Sequence, residues 1–165
     1  IISSDGWLNS GDIASIDAQG HVTITGRLKE IIVLSTGEKI PPADMEAAIL
    51  RDPLFEQAML IGEARSYLSV MVILNTAHWQ NVVSQYGLDA SLDTDQQRQQ
   101  VEEILLDKIT EQTSEFPGYA KIRRVALIQE PWNVENGLLT PTLKLKRAKV
   151  LEKYVREVER LYAGH

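Results

Sequence analysis

The residues best suited to chemistry in this sequence are two lysines near its carboxy-terminal end. Lys144 and Lys146 follow Thr140-Pro141-Thr142 in the stretch NGLLTPTLKLKR, and Leu143 and Leu145 alternate with them. Because a proline biases the residue before it away from the helix, we expect an extended segment with both lysines on one side and both leucines anchored on the other. A lysine held this way is a fixed cation for a phosphate or a developing oxyanion. An edge strand whose lysines discourage aggregation also explains the spacing, which by itself favours that plainer interpretation.

Four positions nearer the amino terminus have residue types that suit a nucleotide site and a moving loop. Asp12 follows Gly11 in WLNSGDIA, and its carboxylate could accept two hydrogen bonds from a sugar diol or merely support a turn. Arg27 in TGRLKE could pair with Asp12 at the surface or point its planar donor fork at a ligand. Lys29 follows where the predicted hairpin ends. Gly37 suits a turn, and also a loop whose backbone approaches a ligand closely.

The carboxy-terminal region also permits a second interpretation, an anion-binding module for nucleic acid or an anionic membrane. Six basic residues crowd together with Glu152 as the only acid among them: Lys144, Lys146, Arg147, Lys149, Lys153 and Arg156. Glu152 and Arg156, four residues apart, are also spaced like an ordinary ion pair on a solvated helix. We keep this module as the alternative function, and a stand-alone nucleotide sensor as a third hypothesis.

The composition limits the classes of protein that fit. The chain has 165 residues, 44% of them hydrophobic, which suits one main domain. The absence of cysteine excludes disulfides, thiolate metal sites and a cysteine nucleophile. A net charge of -6 disfavours a general nucleic-acid binder, since phosphate contacts call for a basic field. The longest apolar run, YLSVMVIL, is far shorter than the roughly 20 residues of a membrane span, so we expect a soluble, cytoplasmic protein.

Alternating apolar and polar residues predict the strands that position these side chains. The stretch DIASIDAQGHVTITGR predicts a β-hairpin that turns at residues 17–20, and EIIVLSTGEKI a shorter one that turns at residues 35–37. Two apolar runs, QAMLIG and YLSVMVILN, predict paired strands, of which the second is covered on both faces. A further strand is predicted at IRRVALI.

About four helices are predicted to cover this sheet. One begins at Pro41-Pro42, one ends at Gly87, and one carries an apolar stripe within TDQQRQQVEEILLDKITEQ. The last begins near Arg147 and should turn these residues inward: Leu151, Tyr154, Val155, Val158 and Leu161. The predicted fold class is α+β, a small mixed or antiparallel sheet covered by helices and preceded by a β-hairpin that belongs to something else.

Two separated motifs resemble a known family. The stretches DGWLNSGDIASIDAQGHVTITGRLKEIIVLSTGEKIPPADME and NGLLTPTLKLKR together resemble the carboxy-terminal portion of the adenylate-forming acyl-CoA synthetases, in particular the AMP-forming long-chain fatty acid-CoA ligases. The resemblance implies that residues 1–28 end a large amino-terminal domain and that residues 29–165 form a mobile carboxy-terminal domain. It also implies a two-step reaction, in which a fatty acid and ATP form acyl-AMP and coenzyme A then displaces AMP.

The resemblance assigns a role to each candidate residue. Asp12 would bind the ribose hydroxyls of the nucleotide, and Arg27 would contact the same ribose. Lys29 would be the hinge about which the small domain rotates between the half-reactions. Lys144 would be the adenylation lysine that reaches the carboxylate and the α-phosphate. Gly37 would lie in the loop that lines the CoA channel after rotation.

The chain also departs from the family pattern. Many relatives place glycine before the lysine, where this chain has Leu143, and Lys146 is a less favoured rival of Lys144. The phosphate-binding loop, the adenine-binding segment and the magnesium-binding glutamate are expected upstream, as is the acyl pocket. The chain, which begins abruptly, is therefore expected to be a fragment that does not catalyse alone. Fatty acid, ATP, Mg²⁺ and CoA would be used through the missing amino-terminal domain, with no nucleic acid, and the whole enzyme could contact a membrane peripherally.

Overall fold

A three-stranded sheet organises the chain, whose computed structural model describes residues 4–27, 30–88 and 95–163. The strands of the described residues are β1 (Asp12–Ile16), β2 (Val22–Arg27), β3 (Ile32–Val33), β4 (Lys39–Ile40), β5 (Phe55–Ile61), β6 (Leu68–Leu74) and β7 (Ile122–Leu127). The helices are α1 (Pro42–Ile49), α2 (Thr76–Tyr86), α3 (Asp95–Gln112), α4 (Arg147–Lys153) and α5 (Val155–Tyr162). Strands β5, β6 and β7 form the main sheet, and β1–β2 and β3–β4 are separate hairpins. The predicted α+β class is confirmed.

The central strand β6 is covered on both faces, as its continuous apolar sequence predicts. It pairs antiparallel with β5 and parallel with β7, so the sheet is mixed. Because side chains alternate along a strand, Val70 and Val72 enter one core cluster while Met71 and Ile73 enter another. Each such buried side chain contributes about 1.5–3 kcal/mol to stability. The sheet is thus the support on which the exposed loops are fixed.

Local signals set the start of the first helix and the end of the second where they were predicted, and a side chain caps the start of the second. Helix α1 begins directly after Pro41, with proline in its first turn. Asn75 caps α2 by accepting hydrogen bonds from the backbone N–H groups of Ala77 and His78. Gly87 ends α2 in the left-handed conformation, with φ of 61°.

The last predicted helix is broken at Tyr154, which gives the described residues five helices rather than about four. The prediction that Leu151 and Val155 face inward is wrong, since they are 37% and 50% exposed. Their burial was predicted from one uninterrupted helical stripe, and the break at Tyr154 changes which side of each half faces the core. Val150 and Tyr162 are buried instead.

The tyrosine that closes α5 fixes it to the sheet. The hydroxyl of Tyr162 donates one hydrogen bond that is shared between the carbonyl oxygens of Ile61 and Tyr67, at 3.0 and 3.3 Å. In return, the Tyr67 hydroxyl donates to the carbonyl oxygen of Leu161 at 2.7 Å. Burial raises the pKa of Tyr162, so its hydroxyl keeps the proton that it donates.

The predicted β1–β2 hairpin is confirmed, and its surface is unusually apolar. Asp12 lies opposite Arg27, and a turn at residues 17–20 joins the strands. Five large apolar side chains of the segment are between 63% and 76% exposed: Trp7, Leu8, Ile16, Val22 and Ile24. Such a concentration is typical of a surface that another domain or protein covers. The division of the chain at residue 28 stays a prediction.

None of the described helices combines the length and the apolar character needed to cross a lipid bilayer.

Candidate functional site

Lys144 lies in a tight hairpin, not in the simple extended segment that the sequence predicts. We call residues 138–146 the Lys144 loop. The backbone N–H of Thr140 donates to the carbonyl of Lys144 at 2.8 Å, and the N–H of Lys144 donates to the Thr140 hydroxyl at 3.0 Å. Leu139 pairs with Leu145 in an isolated antiparallel β-bridge, and the N–H of Lys146 donates to the carbonyl oxygen of Leu138. Lys144 is therefore exposed on a hairpin whose two arms are joined by backbone hydrogen bonds.

Leu143 does not anchor the loop as predicted. Its side chain is 71% exposed and its φ is +60°, in the left-handed region. Only Leu145 packs against the core, where it is partly buried. The alternation expected of a strand fails because the chain reverses at Thr140-Pro141-Thr142-Leu143, and the N–H of Leu143 donates back to the carbonyl of Thr140 at 2.8 Å. This conformation also explains why glycine suits the position before the lysine.

Replacing Leu143 by glycine is expected to raise the free energy of unfolding by about 0.5–1 kcal/mol, because relief of the left-handed strain outweighs the added chain entropy. The exposed leucine side chain loses little burial when it is removed. Urea denaturation measures the change. Leu143→Ala is the matched control, since it keeps the β-carbon and therefore most of the strain, and it should change stability little. A loss of stability in the glycine variant would show that the leucine side chain supports the loop.

The segment that leads into the Lys144 loop is tied to strand β5. The side-chain amide of Gln57 donates to the carbonyl of Trp132 at 2.9 Å and accepts from its N–H at 2.8 Å. Asn133 and Asn136 then bond reciprocally, each side chain accepting from the other's N–H. These side chains replace the backbone partners that an edge strand and an irregular loop lack.

The end of the Lys144 loop is tied to the same strand by an ion pair. Arg147 donates to Glu46 at 2.7 Å and to the carbonyl of Leu60 at 2.8 Å. Glu46 in turn accepts the N–H of Leu60 at 2.7 Å. Sequence reasoning missed this role, since it placed Arg147 in a basic surface cluster and named no acidic partner for it. The two residues are 101 positions apart, and no local pattern signals their contact.

The predicted ribose-binding residues are brought opposite each other. Asp12, whose side chain is exposed, and Arg27 occupy facing positions at the open end of the β1–β2 hairpin. The side chain of Arg27 is not described, so a surface pair and a shared ligand both stay as interpretations. Lys29, the predicted hinge, lies outside the described residues.

Gly37 lies in the exposed turn between β3 and β4, as predicted. Its φ is +94°, and its N–H donates to the carbonyl of Leu34 at 2.9 Å. The turn between β5 and β6 supports this hairpin: Glu63 accepts the N–H of Val33 at 2.9 Å, and the N–H of Ala64 donates to the carbonyl of Val33 at 2.8 Å. Gly37 and Lys144 therefore sit on separate hairpins, each fastened to the main sheet.

The basic segment proposed as an alternative binding surface is partly neutralised. Arg147 is paired with Glu46, and Lys153 contacts Glu130 at 2.7 Å. The hydrogen bond from Lys153 lowers the pKa of Glu130, which keeps that carboxylate charged. Two of the six cations thus face acids, and the polyanion-binding alternative stays a prediction.

A groove of about 470 Å³ lies between α3, β7 and α5. Its charged lining includes Arg98, Glu102, Arg124, Glu157 and Arg160, and Arg124 pairs with Glu102 at 2.6 Å. None of the candidate residues named from the sequence lines this groove, so we assign it no part in the predicted chemistry.

No metal site is formed by the residues in 4–27, 30–88 and 95–163, where no three His, Asp or Glu side chains are grouped closely enough to hold an ion. The magnesium ligand implied by the resemblance was expected upstream of this chain. No step proposed below uses a metal held by these residues.

Comparison with known proteins defines the class. Residues 29–165 match the family described as the AMP-binding enzyme C-terminal domain. The chain is 31% identical over 182 residues to mouse long-chain-fatty-acid–CoA ligase ACSBG1, covering 98% of the chain and 25% of that protein. It is 31% identical over 173 residues to the probable acyl-activating enzyme 16 of Arabidopsis thaliana, covering 98% and 24%.

A solved structure agrees with these relatives. The A domain of carboxylic acid reductase from Segniliparus rugosus, in complex with AMP and a co-purified carboxylic acid, superposes with a TM-score of 0.80 at 27% identity. The match covers 98% of this chain and 24% of that one. The fold is thus that of the C-terminal domain of AMP-binding enzymes. The chain belongs to the AMP-binding enzyme C-terminal domain family, and it spans about a quarter of the length of the relatives it matches.

Proposed function

We propose that this chain is the carboxy-terminal part of an ATP-dependent, AMP-forming fatty acid-CoA ligase. The observation that carries the proposal is the exposed Lys144, which lies on a hairpin closed by two hydrogen bonds between Thr140 and Lys144. This hairpin belongs to a domain of the AMP-binding family. The similarity to a long-chain-fatty-acid–CoA ligase supports the substrate class. ATP, Mg²⁺ and CoA are the cofactors and cosubstrates of the whole enzyme.

In the first half-reaction, the fatty acid carboxylate attacks the α-phosphorus of ATP and pyrophosphate leaves. The Lys144 ammonium would lie against the carboxylate and the α-phosphate, where it offsets the negative charge that gathers in the transition state. Asp12 and Arg27 would hold the ribose. A cation that is already in position needs no reorganisation at the moment of reaction. A loop held by hydrogen bonds therefore suits the stabilisation of the transition state by Lys144.

In the second half-reaction, the CoA thiol attacks the acyl carbonyl and AMP leaves. Rotation about Lys29 would withdraw Lys144 and bring the Gly37 turn to the CoA channel. The family match that begins at residue 29 supports a domain boundary there. The exposed apolar side chains of the β1–β2 segment support the assignment of residues 1–28 to the end of a large amino-terminal domain, whose other parts would cover those side chains.

The test is an assay of the full-length polypeptide with ATP, CoA and a series of carboxylic acids from acetate to palmitate. We expect AMP, pyrophosphate and acyl-CoA in equal amounts, with highest kcat/KM for long chains. Omission of CoA should leave acyl-adenylate on the enzyme. Formation of ADP would contradict adenylation, and a preference for acetate would contradict the substrate class.

Residues 1–165 alone provide the control. They should form no acyl-adenylate, and calorimetry with ATP or AMP should show little heat, because most nucleotide contacts are expected upstream. Tight nucleotide binding by this chain would favour the stand-alone sensor.

A further inference from the structure

The free edge of strand β5 is bound by two charged side chains in place of another strand. β5 is one of the two edge strands of the main sheet, and its residue Leu60 directs both backbone groups away from β6. The N–H of Leu60 donates to Glu46 Oε1 at 2.7 Å, and its carbonyl accepts from Arg147 Nη2 at 2.8 Å. Arg147 Nη1 completes the ring with bonds to both Glu46 oxygens, at 2.7 and 3.1 Å. We call this arrangement the Glu46–Arg147 clamp.

The clamp is largely shielded from water. The side chains of Arg147 and Glu46 are 22% and 15% exposed. Burial raises the pKa of Glu46, while the charge of Arg147 and the N–H of Leu60 oppose that rise. Glu46 accepts hydrogen bonds from the backbone and from the guanidinium, an arrangement that suits the ionised form. Removal of one partner of such a pair leaves a buried charge without compensation.

The clamp sits at the base of the Lys144 loop. Arg147 is the first residue of α4 and lies three positions after Lys144. On the other side of the loop, Gln57 binds both backbone groups of Trp132. The segment that leads into the loop, at Trp132, and the residue that follows the loop, Arg147, are therefore bound to positions three residues apart on the same strand, Gln57 and Leu60.

We propose that Glu46 and Arg147 are positioning residues for adenylation, acting through the Lys144 loop on the lysine ammonium. The inference rests on the proposed function, since it assigns the clamp to the step that uses Lys144. A fixed charge is effective only where it meets the developing charge, and a displacement of about 1 Å can cost about 100-fold in rate. The hydrogen bonds within the exposed turn do not fix the distance of the turn from the sheet. That distance is fixed by the contacts of Trp132 and Arg147, on either side of the loop, with strand β5.

The planar guanidinium is required because it binds Glu46 and Leu60 at the same time. Lysine would keep the positive charge but would lose the fork that makes both contacts in one plane. Arg147→Lys is therefore the sharpest variant, because it preserves the charge balance of the buried pair and alters the geometry. Glu46→Gln is a second variant, since its amide oxygen can still accept from Leu60 while the ionic bond is lost.

The experiment measures both half-reactions in the full-length enzyme. Arg147→Lys should lower kcat for pyrophosphate release by about 10- to 100-fold with little change in the KM for ATP, because positioning and not nucleotide binding is affected. Thioester formation from supplied acyl-adenylate should stay near the wild-type rate. Hydrogen exchange should show faster exchange of the Lys146 amide, whose partner is the Leu138 carbonyl.

Arg124→Lys is the matched control, because Arg124 also pairs with a partly buried glutamate, Glu102, but lines the groove beside α3. It should leave both half-reactions unchanged. Equal losses in both half-reactions for Arg147→Lys, or no loss in either, would overturn the clamp proposal. If Arg147→Lys does not fold, Glu46→Gln decides by the same criteria. A wild-type enzyme that forms no acyl-adenylate would instead refute the proposed function, and the two failures are thus distinguishable.

Discussion

Replacing Lys144 by alanine is expected to abolish acyl-adenylate formation in the full-length enzyme and to leave thioester formation from supplied acyl-adenylate largely intact. The first step would gather negative charge where the ammonium would lie, and the proposed rotation would present another face of the domain in the second step. Removal of one preorganised donor costs about 100- to 1,000-fold in kcat in comparable sites. Pyrophosphate release measures the first step, and acyl-CoA formation from synthetic acyl-adenylate measures the second.

Lys146→Ala is the matched control for this prediction. Lys146 carries the same charge two residues later in the same loop, and its backbone bond to Leu138 does not depend on its side chain. We expect a small effect on either half-reaction. Comparable losses in the Lys144 and Lys146 variants would indicate a general basic surface. Equal loss of both half-reactions in Lys144→Ala would refute its assignment to adenylation.

Replacing Lys29 by proline is expected to depress one half-reaction selectively. Proline fixes φ near −65°, so a residue that must change φ during domain rotation is held in one arrangement. Only residues 28–31 connect the end of β2 at Arg27 to the start of β3 at Ile32, so little chain is available to absorb the rotation. Single-turnover measurements of each step, with acyl-adenylate supplied for the second, separate the two arrangements.

Lys29→Ala is the control for the hinge, because it removes the charge and keeps rotation about φ. Both half-reactions should then stay near the wild-type rates. Unchanged rates in the proline variant would remove Lys29 as the hinge. Loss of both steps together with a lower melting temperature would indicate damage to the fold rather than a blocked rotation.

Local sequence patterns predicted most elements of the fold because the responsible forces act over a few residues. The two apolar runs QAMLIG and YLSVMVILN predict the paired strands, and Pro42 and Gly87 lie where helix ends require them. Gly37 was expected in a turn and has the positive φ that glycine permits. Lys144 was found from its residue type and its setting, and the two motifs of the chain led to the family.

What the sequence determined by itself was therefore most of the elements, the family and the candidate lysine. Only the tertiary structure decided that Leu143 lies in a left-handed turn, that the last helix breaks at Tyr154, and that Arg147 binds Glu46. The physical reason is distance along the chain: Glu46 and Arg147 are 101 residues apart, and a periodic pattern reports only near neighbours. Packing against the sheet selects such contacts, and it fixes where the exposed lysine is presented.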